Sequence, residues 1–294
     1  MDATLDRPPA RKPSRRWMRR RWWMAIPATA AVLWAAAVAA LWFGQERLLF
    51  RPSTLPQDHR FPVDADVHET WIDVPGARLN ALHLKLPNPD GVVFYLHGNG
   101  SSLQGWFVDP KLYRAANVDL VMIDYRGYGK SSGRIASEAQ LLDDVRAAWR
   151  QVAPAYAGKR WIFFGRSLGT GLAARLAAEV QPDLTVLVSP YASMVQLAAE
   201  AYPWVPAPVL RYPLRSDLAL PEVRGAVLLL HGERDTLIPI SHSERLLSLA
   251  RSARQARLVR LPAAAHGDVH HPDAYRDALA TALRAALAAT PLPR

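Results

Sequence analysis

From residue 68 onward the chain alternates between two patterns. Short apolar runs fall at residues 70–74, 81–86, 92–96, 119–124, 161–164, 184–188, 226–230 and 256–261. Runs of four to six such residues bounded by turn formers predict strands, most of them buried on both faces. Between them lie Ala- and Leu-rich stretches with helical spacing, for example 138–152, 168–180 and 242–250. This alternation predicts an α/β architecture, a mostly parallel sheet covered by helices. Sites in such sheets form outside the carboxyl ends of the strands, which is where the Gly-bearing turns of this chain fall. Residues 190–224 break the rhythm with Tyr202-Pro203-Trp204-Val205-Pro206 and further prolines. They predict a small cap over the carboxyl edge, with an irregular loop as the alternative.

Upstream the pattern changes again. Residues 22–43 contain no charged side chain. As a helix rising about 1.5 Å per residue they span about 33 Å, enough for a hydrocarbon core of about 30 Å. Trp22 and Trp23 stand at one end, Trp42 and Phe43 at the other, as in an interfacial aromatic belt. Pro27 is read as lying near the first turn, where it does least harm. The expected layout is a basic cytoplasmic tail over 1–21, a transmembrane anchor over 22–43 and a juxtamembrane connection over 44–67, in which Pro52 and Pro56 limit helix. The folded domain follows over 68–294. Arginines on the amino side predict that domain on the extracytoplasmic side of the inner membrane. Two rivals are a cleaved signal with Ala37-Val38-Ala39 as its site and a buried soluble helix. Ser14-Arg15-Arg16 resembles a twin-arginine signal, but Met18 and Arg19 fit that poorly. The length of the apolar run favours the anchor.

Charge changes the picture less than its total implies. The net charge is +10, but residues 1–21 hold eight Arg or Lys against two Asp, a net +6 that leaves +4 for the rest. The basic character belongs mainly to the tail, and no nucleic-acid-binding motif accompanies it, so no nucleic-acid partner is expected. The absence of cysteine excludes disulfides, Cys-ligated zinc, a thiol nucleophile and lipoprotein acylation, and leaves the compartment open.

The chemistry concentrates at strand ends. Gly165-Arg166-Ser167-Leu168-Gly169 follows an apolar run and opens a stretch with Leu168, Leu172 and Leu176 at helical spacing. That is the G-x-S-x-G elbow, in which a sharp strand-to-helix turn exposes the serine and glycines remove clashing side chains. A serine hydroxyl is a weak nucleophile and needs a base, which needs an orienting acid. Asp235, in His231-Gly232-Glu233-Arg234-Asp235, and His266, in Ala265-His266-Gly267-Asp268, follow later strands in the order this chemistry requires. Glu233 is the alternative acid, and His270 and His271 are the neighbouring imidazoles, read as solvated or helix-capping. Asp268 is read as a helix cap or a support for the site. His266, Asp268, His270 and His271 also invite a metal reading, but nothing else in the chain supplies a matching ligand set. No metal and no cofactor is expected.

His97-Gly98-Asn99-Gly100, after another apolar run, fits a loop donating one oxyanion-hole N–H, assigned to Asn99. The second donor is the backbone N–H of Leu168. His97 is read as structural, as is Asp124 in Asp124-Tyr125-Arg126-Gly127-Tyr128-Gly129. Arg166 is expected to form a local ion pair, with Asp124 as its partner, substrate binding being the alternative.

These motifs in this order resemble the α/β-hydrolase superfamily. The chain looks in particular like the membrane-anchored α/β-hydrolase-domain-containing proteins and the related serine aminopeptidase-like hydrolases. The resemblance starts at Leu48-Leu49-Phe50-Arg51-Pro52, runs to His266-Gly267-Asp268 and covers about 85% of the chain. It implies an eight-stranded, mostly parallel sheet, a Ser167–Asp235–His266 triad, no cofactor, and activity on esters, thioesters or lipid-linked acyl groups. Gly267 stands where relatives often carry Asn. Three functions compete: acyl-ester hydrolysis, peptidase or acyltransferase action on the same triad, and a non-catalytic membrane-tethered binding module. Substrate identity and oligomeric state stay open, because fold-level analogy names no substrate.

Overall fold

The computed structural model describes residues 15–107, 110–290 and 292. The chain divides after Gly44 into an N-terminal unit and a second unit, Gln45–Arg294. Helix α1 (Arg15–Leu49) supplies the described part of the first. It exposes Ile26, Val32, Leu33 and Phe43, and Ala25–Leu49 is apolar and long enough to cross a membrane. The helix starts upstream of the predicted span, so Pro27 falls inside it rather than in its first turn. Arginine is a good helix former, and the basic segment continues the helix instead of ending it. The first fourteen residues of the basic tail lie outside the described residues.

The 44–67 connection is also more ordered than expected, with helix to Leu49. Within the second unit, the Gln45 amide donates to Val209 O (2.9 Å) and accepts from Arg211 N–H (2.7 Å). Glu46 pairs with Arg211 (2.6 Å) and accepts from the Tyr212 hydroxyl (3.0 Å). Phe50 packs edge-on against Tyr212. These bonds fasten the end of the helix to the 209–212 segment.

Eight strands follow: β1 (Val67–Val74), β2 (Ala77–Leu84), β3 (Gly91–Leu96), β4 (Val118–Ile123), β5 (Arg160–Arg166), β6 (Leu184–Val188), β7 (Ala226–Gly232) and β8 (Gln255–Leu261). They form one sheet in the order β1-β2-β4-β3-β5-β6-β7-β8. The first two make a hairpin reversing at Pro75-Gly76, where Gly76 has φ +75°, a region glycine occupies without a Cβ clash. β2 runs antiparallel to β4, and every pairing from β4 through β3 to β8 is parallel. The buried central strands β4 (VDLVMI) and β6 (LTVLV) are apolar save for Asp119 and Thr185, as a sheet covered on both faces demands.

The helices are α2 (Leu103–Trp106), α3 (Lys111–Ala115), α4 (Glu138–Val152), α5 (Leu168–Val180), α6 (Met194–Ala201), α7 (Ser216–Ala219), α8 (Ser241–Leu249) and α9 (Asp273–Ala288). They cover the sheet on two faces. One core joins Phe94, Val121, Trp149, Phe163, Leu172 and Leu246. The other joins Val93, Met122, Phe164, Tyr275, Leu279 and Leu283. Ser137 caps α4 and Ser193 caps α6, each hydroxyl accepting the N–H three residues on. The 190–224 segment holds α6, α7 and short 3₁₀ turns. It is fastened to α8 where Glu200 meets the buried His242 at 2.9 Å.

The loop after β4 is anchored from below. Arg126 binds Asp144 of α4 through two bonds, Nε–Oδ2 at 2.5 Å and Nη2–Oδ1 at 2.8 Å, with both side chains buried. Removing one partner of a buried pair strands the other charge, which costs about 3–5 kcal/mol. Asp144→Ala is therefore expected to lower the unfolding free energy by about that amount. Urea denaturation of the full chain measures it, and a loss under about 1 kcal/mol would show that Arg126 finds water or another acceptor.

Candidate active site

The site is built where β5 ends and α5 begins. Ser167 sits between them with φ +48° and ψ −116°, a conformation that a non-glycine residue keeps only at a cost of order 1–3 kcal/mol. Packing around it enforces the bend. A Cβ on Gly165 would lie 2.6 Å from Thr170 Cα, and one on Gly169 would lie 2.0 Å from Leu96 O and 2.7 Å from His97 O. Only glycine lets the first turn of α5 sit this close to β5 and to the end of β3. Ser167 N–H donates to Val188 O of β6 (2.9 Å), which ties the bend to the neighbouring strand.

Strand register brings the other two residues to the same edge. β7 pairs with β8 so that Gly232 faces Leu261. The pairing continues into the loops, where Glu233 N–H donates to Leu261 O and Arg234 N–H to Ala264 O. A Cβ on Gly232 would come within 2.3 Å of Ala264 O. The loops carrying Asp235 and His266 thus lie side by side at the carboxyl edge.

His266 Nδ1 is 2.7 Å from Asp235 Oδ2, and His266 Nε2 is 2.9 Å from Ser167 Oγ. Ionised Asp235 only accepts, so Nδ1 carries the proton and donates it. That leaves the Nε2 lone pair for the serine hydroxyl. Asp235 is buried. Its Oδ1 accepts the N–H groups of Leu237 (3.0 Å) and Ile238 (2.8 Å), and His231 Nε2 lies 3.5 Å from Oδ2. Burial alone would raise its pKa. The neighbouring imidazoles and the Ile238 N–H outweigh burial and hold the carboxyl well below the usual carboxylate range.

Leu168 follows Ser167 directly, and the 97–100 loop approaches the elbow, where a Cβ on Gly169 would meet His97 O. The Asn99 side chain accepts from Arg51 N–H, Gly100 N–H and the Tyr128 hydroxyl, which fixes its loop. Gly98 packs on the Trp106 ring and near Arg166 O, where a Cβ would be 2.7 and 3.4 Å away. Leu168 is the first residue of α5, so its N–H has no partner within the helix.

The alternatives lie elsewhere. Glu233 is 3.7 Å from Arg260 and partly exposed. Asp124 faces the buried His97 (3.3 Å) and accepts Leu103 N–H. Asp268 accepts Ala265 N–H (2.6 Å) and shapes the turn holding His266, while Pro272 occupies the cap of α9. His270 and His271 are exposed and stack edge-on. Among the described residues no group of three or more His, Cys, Asp or Glu is arranged to hold a metal. The expected Arg166–Asp124 pair is absent. Arg166 reaches the other way, donating to Ser189 Oγ (3.2 Å) and to His266 O (2.5 Å). It lies on the face shared by Tyr95 and Phe164 because strand residues alternate sides, an orientation that the motif does not reveal. Arg166 is thus a positioning residue for the His266 loop that spacing alone did not identify.

Residues 87–215 match the family model described as serine aminopeptidase, S33. An uncharacterized protein of Mycobacterium tuberculosis (strain ATCC 25618 / H37Rv) is 31% identical over 258 residues, covering 83% of this chain and 89% of that protein. The lysophosphatidylserine lipase ABHD12 of Danio rerio is 28% identical over 187 residues, 55% of this chain and 48% of that one. Among solved structures, the Pyrococcus furiosus esterase Pf2001 superposes with a TM-score of 0.66 at 17% identity, covering 81% of this chain and 97% of the esterase. At that identity the likeness establishes the fold. With the eight-stranded sheet and the elbow motif already in place, these relationships show that the chain belongs to the α/β-hydrolase family of serine aminopeptidase-like, α/β-hydrolase-domain-containing proteins.

Proposed function

We propose that the protein is a membrane-anchored serine hydrolase that cleaves acyl esters or thioesters. The observation that carries this reading is the hydrogen-bonded chain from Ser167 Oγ through His266 to Asp235. His266 Nε2 removes the Ser167 proton as Oγ attacks the acyl carbon. Asp235 holds the ring and stabilises the imidazolium. The N–H groups of Leu168 and Asn99 receive the oxyanion, each such donor contributing about 10²–10³ in rate. His266 then protonates the leaving group, and a water activated by the same imidazole releases the acid from acyl-Ser167. No step calls on a cofactor.

The relative named as a lysophosphatidylserine lipase supports a lipid-linked acyl substrate. The apolar span in α1 supports a single-pass anchor, with 68–294 as the catalytic domain and 190–224 as its cap. The arginines ahead of that span support placing the catalytic domain on the extracytoplasmic face of the inner membrane.

A fluorophosphonate probe on the full chain in non-ionic detergent tests the chemistry. Labelling of the wild type, lost in Ser167→Ala together with a fall in ester turnover of at least about 10⁴, is expected. A folded wild type that takes up no probe would turn the reading to a binding module. Nitrophenyl esters and acyl-thioesters of increasing chain length test the substrate class. Preference for long chains is the expected result, and preference for acetyl or butyryl groups would remove the lipid-linked assignment.

Asp235→Asn is expected to lower kcat about 10⁴-fold with little change in KM, because the amide leaves the imidazole in the wrong tautomer. The variant also reports on stability. A carboxyl whose pKa is lowered by folding stabilises the protein above its unfolded value of 3.8, and that contribution fades as pH falls toward the folded value. The stability difference between wild type and Asp235→Asn should therefore be full at pH 7 and shrink below about pH 4. Urea midpoints across pH measure it, and a difference independent of pH would contradict the assignment of Asp235 as an ionised hydrogen-bonded group.

A further inference from the structure

A cavity of about 390 Å³ opens on the sheet face that carries α9. Ser167, His266 and Asp235 do not line it. Its walls come from the carboxyl ends of β3, β4 and β5, from α2 and α3, and from the start of α9 with the turn before it. The body is apolar and aromatic, with Tyr95, Trp106, Leu112 and Tyr275 among its lining. The buried charged side chain set into this wall is Arg166.

Arg166 is only 6% exposed. Among the described residues it makes no salt bridge. Its two side-chain bonds go to neutral acceptors, Ser189 Oγ and His266 O. A guanidinium has five N–H donors, and these two bonds leave three available to a further acceptor. Burial works against its charge. Tyr95, Tyr275, Asp235 and Asp268 oppose that only through space, and one Asp268 carboxylate oxygen is taken by Ala265 N–H. A buried charge without a hydrogen-bonded counter-ion is costly.

The rest of the lining is equally short of negative charge. Among the described residues, none that lines the cavity is Asp or Glu. His270 and His271 flank the cavity, and Arg276 is already paired with Asp273. Partial desolvation of the His270 ring, and then the nearby His271 and Arg166, lower its pKa.

We propose that this cavity binds a small amphipathic carboxylate, its carboxyl group on the open edge of Arg166 and its apolar body against Trp106 and Tyr275. The planar carboxylate matches the guanidinium fork. A phosphate dianion would ask for a second unpaired cation, and the lining offers none. Arg166 also holds the His266 carbonyl, so the occupant contacts the same side chain that positions the His266 loop.

Calorimetric titration of the full chain in non-ionic detergent at pH 7 tests this with a matched pair, 4-phenylbutyrate and its uncharged amide. Saturable binding of the acid is expected, with the amide at least about tenfold weaker, as a lost charge-assisted contact implies. That comparison uses wild-type protein and depends on no variant folding. Leu112→Trp adds bulk to the cavity wall and alters no charged group. It should weaken the acid at least about tenfold while leaving the thermal midpoint and fluorophosphonate labelling unchanged. Equal affinity for acid and amide, no saturable binding, or undiminished binding in Leu112→Trp would each overturn the site and leave a water-filled cavity. None of these outcomes bears on the hydrolase reading, which the labelling of Ser167 tests separately.

Discussion

The close approach of α5 to the sheet is the constraint from which the rest of the site follows. Ser167 is held in a backbone conformation that an unconstrained chain would leave at once. It stays there because Gly165 and Gly169 let the helix press against β5 and the end of β3, where any Cβ would collide with backbone. The same contact aims the first N–H of the helix away from helical partners and lays the 97–100 loop beside it. One packing event thus exposes the Ser167 hydroxyl, frees the Leu168 N–H and brings the 97–100 loop alongside.

Parallel pairing does the remaining assembly. β5, β6, β7 and β8 are consecutive neighbours in the sheet, and the chain leaves each at the same edge. Ser167 is bonded to the end of β6, Ser189 to the end of β7, and the loop after β7 to the loop after β8. Residues 99 positions apart in the chain meet at 2.9 Å because the sheet registers them. Asp235 is then fastened by two backbone N–H groups as well as by the imidazole. The ring orientation rests on rigid backbone rather than on a mobile side chain.

Arg166 links the two faces of the sheet. Its neighbour Ser167 faces the edge where the three residues meet, while its own side chain lies with Tyr95 and Phe164 on the other side, wrapped by α9 and the short α2. From there it reaches the carbonyl of His266. A motif residue that looks incidental is the strut beneath the His266 loop, and it brings a largely aromatic cavity within one side chain of that loop.

Much of this was legible in the residue order. Largely apolar runs at 92–96, 119–124 and 184–188 announce two-sided strands, since only burial on both faces favours them. The spans 138–152 and 168–180 match α4 and α5 end for end, because a serine cap and a strand-to-helix bend are local signals. The elbow and the order Ser, Asp, His are also written along the chain, so the candidate triad could be named. What the order could not carry is anything decided by which strands become neighbours. The helix running on to Leu49 depends on Gln45 and Glu46 meeting residues 209–212, more than 160 positions away. Arg166 bonds Ser189 and His266, which follow β6 and β8 on one side of β5, and not Asp124, which follows β4 beyond β3 on the other. The cavity at its side exists only where three strand ends and three helices come together. Local chemistry is fixed by adjacent residues, but partner choice for a buried charge is settled by tertiary packing, which brings together groups that spacing never relates.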